Sequence, residues 1–149
     1  MWIEMEIRVL TKEDSPSLWK INQEGLPGTG KVSEDEIKSL YQVDSINEAL
    51  HQLRSDCEFA AVTRNEHGSV VIDGEEVVII DAEPVDSVVD ATGAGDMYAA
   101  GFLYGFVRGK TIEQCGKIGS IVASEVITHM GPRPLVSLTS VVPKDLLSF

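Results

Sequence analysis

Polar residues at helix starts and apolar residues at helical spacing mark several parts of this chain as helical. Residues 33–36 (Ser-Glu-Asp-Glu) and 111–114 (Thr-Ile-Glu-Gln) match the capping box, in which the first and last side chains bond each other's backbone amides. A third match, at residues 45–48, opens a shorter helical pattern. From residue 112 the apolar side chains recur every three or four residues, which predicts a long helix; they are Ile112, Cys115, Ile118, Val122 and Val126.

Strand patterns lie between these helices. Residues 59–63 form a continuous apolar run, which is typical of a buried parallel strand. Residues 69–72 and 76–80 are rich in Val and Ile and flank an Asp-Gly pair, so we predict a β-hairpin there. A helical pattern then runs from about Asp96 to Val107. Because strands and helices alternate, the chain is expected to adopt an α/β layered fold.

The first third of the chain carries a weaker set of signals. Residues 6–10 alternate polar and apolar side chains, and residues 11–14 read as a helix start, which together predict a short β-α leader. Residues 25–31 match Gly-x4-Gly-Lys, the phosphate loop of P-loop NTPases. The next residue should be Ser or Thr to hold Mg²⁺, but it is Val32. A P-loop NTPase acting through Lys31 is therefore kept only as a third alternative.

Composition narrows the possible partners and compartments. The 149 residues include 12 Lys plus Arg against 24 Asp plus Glu, and this acidic balance disfavours nucleic acid and anionic membranes as partners. No stretch approaches the roughly 20 apolar residues of a membrane span, and the N-terminus lacks the pattern of a secretory signal. We therefore expect a cytoplasmic protein in which Cys57 and Cys115 are reduced thiols that fill core positions.

The strongest chemical signal is the sequence Asp-Ala-Thr-Gly-Ala-Gly-Asp at residues 90–96, called the Gly-rich turn below. Successive backbone N–H groups of such a turn can point at an anion, and the following helix adds its positive N-terminal end. Asp96 would repel a phosphate unless its task is to accept a proton from an attacking hydroxyl, as the base of phosphoryl transfer does. The residue types alone leave a second interpretation open, an ordinary turn with Asp96 as helix cap.

The Gly-rich turn resembles the Asp-Thr-x-Gly-Ala-Gly-Asp signature of the pfkB, or ribokinase-like, carbohydrate and nucleoside kinases. Residues 97–105 resemble the helix that follows in this family, and residues 63–68, called the upstream loop below, are similar to its Thr-x-Gly-x-x-Gly loop that contacts ATP. The spacing of these segments also fits, as does Gly-Pro-Arg-Pro at residues 131–134. The adenosine-kinase-like branch looks closest. The resemblance covers residues 34–149.

The resemblance implies a fold, a reaction and a set of site residues. The fold would be the C-terminal part of a ribokinase-like three-layer sandwich. The donor would be Mg-ATP and the acceptor a hydroxyl of a sugar or nucleoside. Asp96 would be the catalytic base, and the backbone amides of Gly93, Ala94 and Gly95 would form the anion hole. Asp90 and Thr92 would belong to a magnesium or monovalent-cation network. The upstream loop would form one wall of the nucleotide site through Thr63, Arg64, Asn65, Glu66, His67 and Gly68.

Two kinds of departure from the family qualify this expectation. Ala91 replaces a common Thr, and Asn65 stands where many members have Gly, although Asn tolerates the left-handed backbone better than most residues. The first half of the family's fold, which carries most acceptor-binding residues, has no counterpart here. We therefore expect a fragment with little activity alone, or else an inactive nucleotide-binding or interaction module. An apolar edge left exposed would favour a homo-oligomer.

Residues 1–36 resemble a different family. The strand-like residues 7–10, the acidic helix start at 11–14 and the Leu-Pro pair at 26–27 are similar to the opening of GNAT-superfamily acetyltransferases. The pyrophosphate loop of those enzymes is not present, so no acetyltransferase activity is expected. On this interpretation residues 1–33 form a leader, and residues 34–149 form the kinase-like part.

Overall fold

A computed structural model describes residues 32–56 and 59–148 of the chain. Several sequence predictions lie outside these residues. They are residues 1–31 of the predicted β-α leader (1–33) and of the acetyltransferase-like start (1–36), the phosphate-loop match at 25–31, and Cys57.

Two helices precede the main strands. Helix α1 spans Glu34–Tyr41 and helix α2 spans Ile46–Asp56. The capping box predicted at the start of α1 is confirmed, because the Ser33 hydroxyl accepts from the Glu36 amide at 3.3 Å while the Ser33 amide donates to the Glu36 carboxylate at 2.7 Å. Each bond satisfies an amide that the helix itself leaves without a partner.

A four-stranded sheet occupies the middle of the described part. Its strands lie side by side in chain order: β1 (Val32–Ser33), β2 (Phe59–Thr63), β3 (Ser69–Asp73) and β4 (Glu76–Ile80). Strand β1 runs parallel to β2, whereas the other two pairs are antiparallel. The parallel pairing predicted for residues 59–63 is therefore found only with β1, whereas the pairing with β3 is antiparallel. The predicted burial is also only partial, because Val62 is the one fully buried residue of β2.

The predicted hairpin between β3 and β4 is confirmed. Asp73 pairs with Glu76, so the loop consists of Gly74 and Glu75. Gly74 has a φ of +57°, the sign that a type II′ hairpin turn requires at its first central position. The turn is therefore centred one residue later than the Asp-Gly pair in the sequence.

The second helical layer consists of α3 (Ala94–Phe106) and α4 (Ile112–Ile127). The capping box predicted at residues 111–114 is confirmed at the start of α4. The two helices pack closely because glycines face each other: a side chain at Gly101 would lie 2.6 Å from Val122 and 2.9 Å from the Gly119 Cα. Two short helices follow, α5 (Leu138–Val141) and α6 (Lys144–Leu147).

Alternating side chains of the sheet point into two separate cores. On one face the sheet packs against α1 and α2, through Ile37, Ala49, Leu53, Val62 and Ile72. On the other face it packs against α3 and α4, through Val71, Ile80, Tyr98, Phe102 and Cys115. The predicted core position of the Cys115 thiol is confirmed, and burial raises its pKa. The result is a three-layer α/β/α arrangement.

Some large apolar side chains remain exposed. Phe59 lies 41% exposed at the start of β2 and contacts Phe106 of α3 with ring centroids 5.6 Å apart. Leu103 of the same helix is 55% exposed. The exposed apolar edge expected from sequence, and the homo-oligomer that it would favour, stay predictions. In the described residues no helix combines the length and apolar character needed to cross a membrane.

Candidate nucleotide-binding site

One cleft brings the upstream loop and the Gly-rich turn together, although 21 residues separate them in sequence. Its volume is about 700 Å³, within the usual range for small-molecule sites. The upstream loop contributes Thr63, Asn65, Glu66 and Gly68 to its lining, and the Gly-rich turn contributes Ala91, Ala94 and Gly95. Small and apolar residues form most of the remaining wall: Ala82, Pro84, Val85, Val88, Ala123 and Ile127.

The upstream loop is a tight turn that depends on left-handed backbone. Its ends are joined by a hydrogen bond from the Arg64 amide to the Gly68 carbonyl at 2.8 Å. Asn65 has a φ of +51°, so the prediction that Asn can replace Gly at this position is confirmed. Gly68 has a φ of +76° and lies against the backbone of Ile80, where any side chain would overlap the carbonyl oxygen.

Two residues of the upstream loop do not line the cleft. The Arg64 guanidinium forms an ion pair with Glu34 of α1 at 2.9 Å, and both side chains are partly buried. The hydrogen bond from Arg64 is the main reason that the pKa of Glu34 lies below its ordinary value. His67 is largely exposed and lies 3.7 Å from the Glu66 carboxylate. Direct nucleotide contacts by Arg64 and His67 stay predictions.

The Gly-rich turn ends in the N-terminus of α3. Gly93 is the N-cap residue, with a φ of +81°, and the Met97 amide donates to its carbonyl at 3.0 Å. Asp96 is therefore the third residue of the helix, which rules out the alternative that it is the cap. A side chain at Gly93 would lie 2.6 Å from Cβ of Pro132, so this turn packs directly on the loop after α4.

The predicted anion-hole amides and the predicted base take up different positions at this helix start. Of the three predicted anion-hole residues, Ala94 and Gly95 line the cleft and Gly93 does not. The Ala94 amide donates to the Ala91 carbonyl at 3.2 Å, and the anion hole itself stays a prediction. Asp96 is exposed and is not part of the cleft lining. Because a helix N-terminus favours negative charge, the same first turn is suited both to an anion and to the Asp96 carboxylate.

Asp90 connects the Gly-rich turn to the far end of α4. Its carboxylate accepts from the Thr92 amide and from the Gly131 amide, each at 2.9 Å. The pKa of Asp90 lies below its ordinary value, mainly because of a hydrogen bond from the Thr92 side chain. The bonds from the two amides lower it further. In residues 32–56 and 59–148 no three His, Cys, Asp or Glu side chains come together as a metal site. The metal role of Asp90 and Thr92 stays a prediction.

Sequence reasoning missed two groups of site residues. The segment after β4, with Ala82, Pro84 and Val85, has no regular periodicity and forms a long side of the cleft. The second group consists of small residues of α4, since Ser120 and Ala123 also line the cleft.

The family of the chain follows from comparison with known proteins. The model of the pfkB family of carbohydrate kinases matches residues 23–138. A sugar kinase of uncharacterised function from Archaeoglobus fulgidus is 39% identical over 99 residues, which are 66% of this chain and 39% of the relative. A nucleoside kinase from Methanocaldococcus jannaschii is 41% identical over 70 residues, 47% of this chain and 23% of the relative. The chain belongs to the pfkB family.

Two solved structures agree with this assignment. Adenosine kinase from Sinorhizobium meliloti superposes with a TM-score of 0.72 and 47% identity, over 74% of this chain and 34% of that protein. Arabidopsis thaliana ribokinase, solved with ribose and ATP, superposes with a TM-score of 0.68 and 27% identity, over 80% and 40% of the two chains. The fold is the C-terminal part of a ribokinase-like three-layer sandwich.

The extent of these matches bears on how the chain is divided. The family match begins at residue 23, whereas the sequence predicts that the kinase-like part begins at residue 34. The acetyltransferase resemblance of residues 1–36 has no support in the comparisons, and the boundary at 33/34 stays a prediction. The matched segments correspond to between about a quarter and two fifths of these relatives' lengths.

Proposed function

We propose that this chain forms the nucleotide- and phosphoryl-binding part of an ATP-dependent sugar or nucleoside kinase. The observation that carries the proposal is the single cleft between the upstream loop and the N-terminus of α3. A nucleotide needs an apolar surface for its base and backbone amides with a helix N-terminus for its phosphates. The cleft has both, because Val85, Val88 and Ile127 lie in its wall and Ala94 and Gly95 begin α3.

In this proposal Asp96 is the catalytic base that accepts the proton of the acceptor hydroxyl. In phosphoryl transfer the attacking and leaving oxygens lie roughly in line on opposite sides of the transferred group. The base should therefore lie beside the nucleotide cleft rather than inside it. Asp96 fits this requirement, since it belongs to the first turn of α3 yet stays outside the cleft lining and is exposed.

The residues present are compatible with Mg²⁺ arriving together with the nucleotide. Mg²⁺ at kinase sites is held mostly by phosphate oxygens and water, with one or two carboxylates, so it needs no cluster of three protein ligands. Glu66 and Glu83 both line the cleft and could supply such a carboxylate. When bound, the ion neutralises negative charge on the phosphates. A monovalent cation near Asp90 and Thr92 remains part of the proposal.

The acceptor is proposed at the level of class only. The relatives are named as sugar and nucleoside kinases, and one similar structure holds ribose with ATP. Since catalysis of phosphoryl transfer depends mainly on positioning, we expect little turnover from a chain that corresponds to about a third of such enzymes. An inactive nucleotide-binding or interaction module is the second candidate, favoured by the same short correspondence.

Titration calorimetry with Mg-ATP tests the proposal on the purified chain. Gly95→Val should abolish binding, because it places a side chain at the amides that face the phosphates. Ala100→Val is the matched control, since it enlarges an exposed residue of the same helix. Asp96→Asn should bind Mg-ATP as the wild type does. Loss of binding only in Lys31→Ala would instead support the P-loop alternative.

Two results would count against the kinase proposal. Wild-type protein that binds no Mg-ATP would leave an interaction module as the remaining interpretation. If phosphoryl transfer to a sugar or nucleoside is detected, full turnover by Asp96→Asn would exclude that residue as the base.

A further inference from the structure

A buried hydrogen bond joins the two walls of the cleft. The hydroxyl oxygens of Ser69 and Tyr98 lie 2.6 Å apart, although 29 residues separate them in sequence. Ser69 is 0% exposed and Tyr98 is 5% exposed, so bulk water does not compete for the bond. A hydrogen bond in such surroundings is stronger than one at the surface.

The two partners occupy matching positions on the two walls. Ser69 directly follows Gly68, the last residue of the upstream loop, and begins β3. Tyr98 lies in α3, four residues after Ala94 and three after Gly95, and therefore on the same side of the helix as those two cleft residues. Tyr98 itself lines the cleft. The bond thus connects the end of one wall to the first turns of the other.

The hydroxyl of Tyr98 and its ring have separable tasks. The ring stacks on Phe102 with centroids 6.2 Å apart and packs in the core with Val71 and Ile80. Burial raises the pKa of Tyr98, so its hydroxyl stays protonated near neutral pH and can donate to Ser69. A phenylalanine at this position would keep the packing and lose only the bond.

We propose that Ser69 and Tyr98 are positioning residues of the nucleotide site, whose hydrogen bond sets the distance between the upstream loop and the N-terminus of α3. The inference rests on the proposed function, because it concerns how that cleft holds its ligand. A nucleotide that spans both walls needs both sets of contacts at once, and a shift of α3 along β3 would weaken one of them. The pair acts through the walls and not by contact with the reacting atoms.

A double-mutant cycle tests this role. Mg-ATP affinity is measured by calorimetry for the wild type, Tyr98→Phe, Ser69→Ala and the double variant, and urea unfolding is recorded for each. Each single variant should weaken binding by up to about fivefold, the value expected if the whole contribution of one ordinary hydrogen bond goes into holding the two walls in the binding geometry. The double variant should bind no more weakly than the weaker single variant, because the same bond is already lost.

Tyr41→Phe is the matched control. It removes a tyrosine hydroxyl that bonds Asp56 at 2.8 Å on the opposite side of the sheet, and so it should leave Mg-ATP affinity unchanged even where it lowers stability. A merely structural role for Ser69 and Tyr98 would lower stability in the same way without changing affinity.

The possible failures are distinguishable. Single variants that fold and bind within twofold of the wild type would overturn this inference alone. Effects that multiply in the double variant, or an equal loss in Tyr41→Phe, would also overturn it. Absence of binding by the wild-type chain would overturn the proposed function and this inference with it.

Discussion

The upstream loop and the Gly-rich turn are two walls of one cleft, and different interactions hold each wall in place. Both use left-handed backbone, at Asn65 and Gly68 in the first and at Gly93 in the second. The first wall is a short excursion between two hydrogen-bonded strands, and Gly68 lies directly on the main chain of Ile80. The second is held by a carboxylate, Asp90, and by contact with a loop.

This difference has a physical consequence. A wall that packs on the backbone of a sheet cannot make room for a larger side chain, because the strand cannot move without breaking its hydrogen bonds to the neighbouring strand. A wall that packs on a loop can shift by a few tenths of an ångström, and one held by a carboxylate depends on pH. We therefore expect that a larger side chain in the first wall strongly destabilises the fold. In the second wall we expect a smaller loss for added volume and a dependence of stability on pH.

The largest effect is expected at the first wall. In Gly68→Ala the alanine would have to adopt a left-handed backbone conformation, and its Cβ would overlap the Ile80 carbonyl oxygen. Together these effects should lower the free energy of unfolding by about 3 kcal/mol or more. Urea denaturation measures the change. Gly74→Ala is the matched control: its φ is +57° but nothing lies within 4 Å, so a loss of only about 1 kcal/mol is expected. Equal losses in both variants would contradict the proposed rigidity of this wall.

At the second wall the same substitution should cost less. Gly93→Ala would bring its Cβ to 2.6 Å from the Pro132 side chain, which lies on a loop, and should lower stability by about 2 kcal/mol. The comparison is Gly109→Ala, with a φ of +69° and an open surrounding, for which about 1 kcal/mol is expected. A larger loss of stability in Gly93→Ala than in Gly68→Ala, measured by thermal or urea unfolding, would contradict the expectation that the first wall is the more rigid one.

The pH dependence of the second wall should come next in size. Because the pKa of Asp90 is lowered in the folded state, its carboxylate stabilises the fold at neutral pH, and this contribution is lost as the pH falls through the folded-state pKa. Asp90→Asn should be less stable than the wild type at pH 7 and should lose less on acidification. Unfolding midpoints followed from about pH 7 to pH 3 measure both effects.

Asp86→Asn serves as the control for Asp90, since Asp86 is an exposed carboxylate in the same segment. It should follow the pH profile of the wild type. A wild-type profile in Asp90→Asn would mean that the bonds to Thr92 and Gly131 do not stabilise the turn.

The smallest effect concerns the ion pair behind the upstream loop. Glu34→Gln removes the charge that faces Arg64, and after allowance for solvent screening it should lower stability by only about 0.5 kcal/mol. The difference should shrink in high salt, which urea unfolding at two ionic strengths would reveal. In Glu75→Gln, whose side chain is fully exposed next to Arg54, no change is expected. A loss above about 2 kcal/mol in Glu34→Gln would show that this pair, too, supports the wall.

Local features of the fold could be predicted because they depend on neighbours in sequence. The capping boxes at Ser33 and Thr111 involve residues three positions apart, and the hairpin needs only two β-rich runs and a glycine between them. The left-handed Asn65 was likewise predicted from its residue type and the resemblance of the loop.

Features that depend on distant partners could not be predicted in this way. An apolar run such as residues 59–63 carries no information on the direction of its neighbours, so the antiparallel pairing with β3 was missed. The bond from Asp90 to Gly131 spans 41 residues, and that from Ser69 to Tyr98 spans 29. Arg64 was assigned to the nucleotide, yet its nearest charge in the fold is Glu34.

By itself, the sequence determined most of the helices and strands and the family, because backbone capping, turn chemistry and a seven-residue signature are all short-range properties. It also yielded the prediction of which residues handle a phosphate. Only the tertiary structure decided that residues 63–68 and 90–96 line the same cleft, that Asp96 lies outside its lining, and that Ser69 and Tyr98 join its walls. The reason is physical: these relations arise from packing two helices on one face of a sheet, and packing is set by all of the layers together.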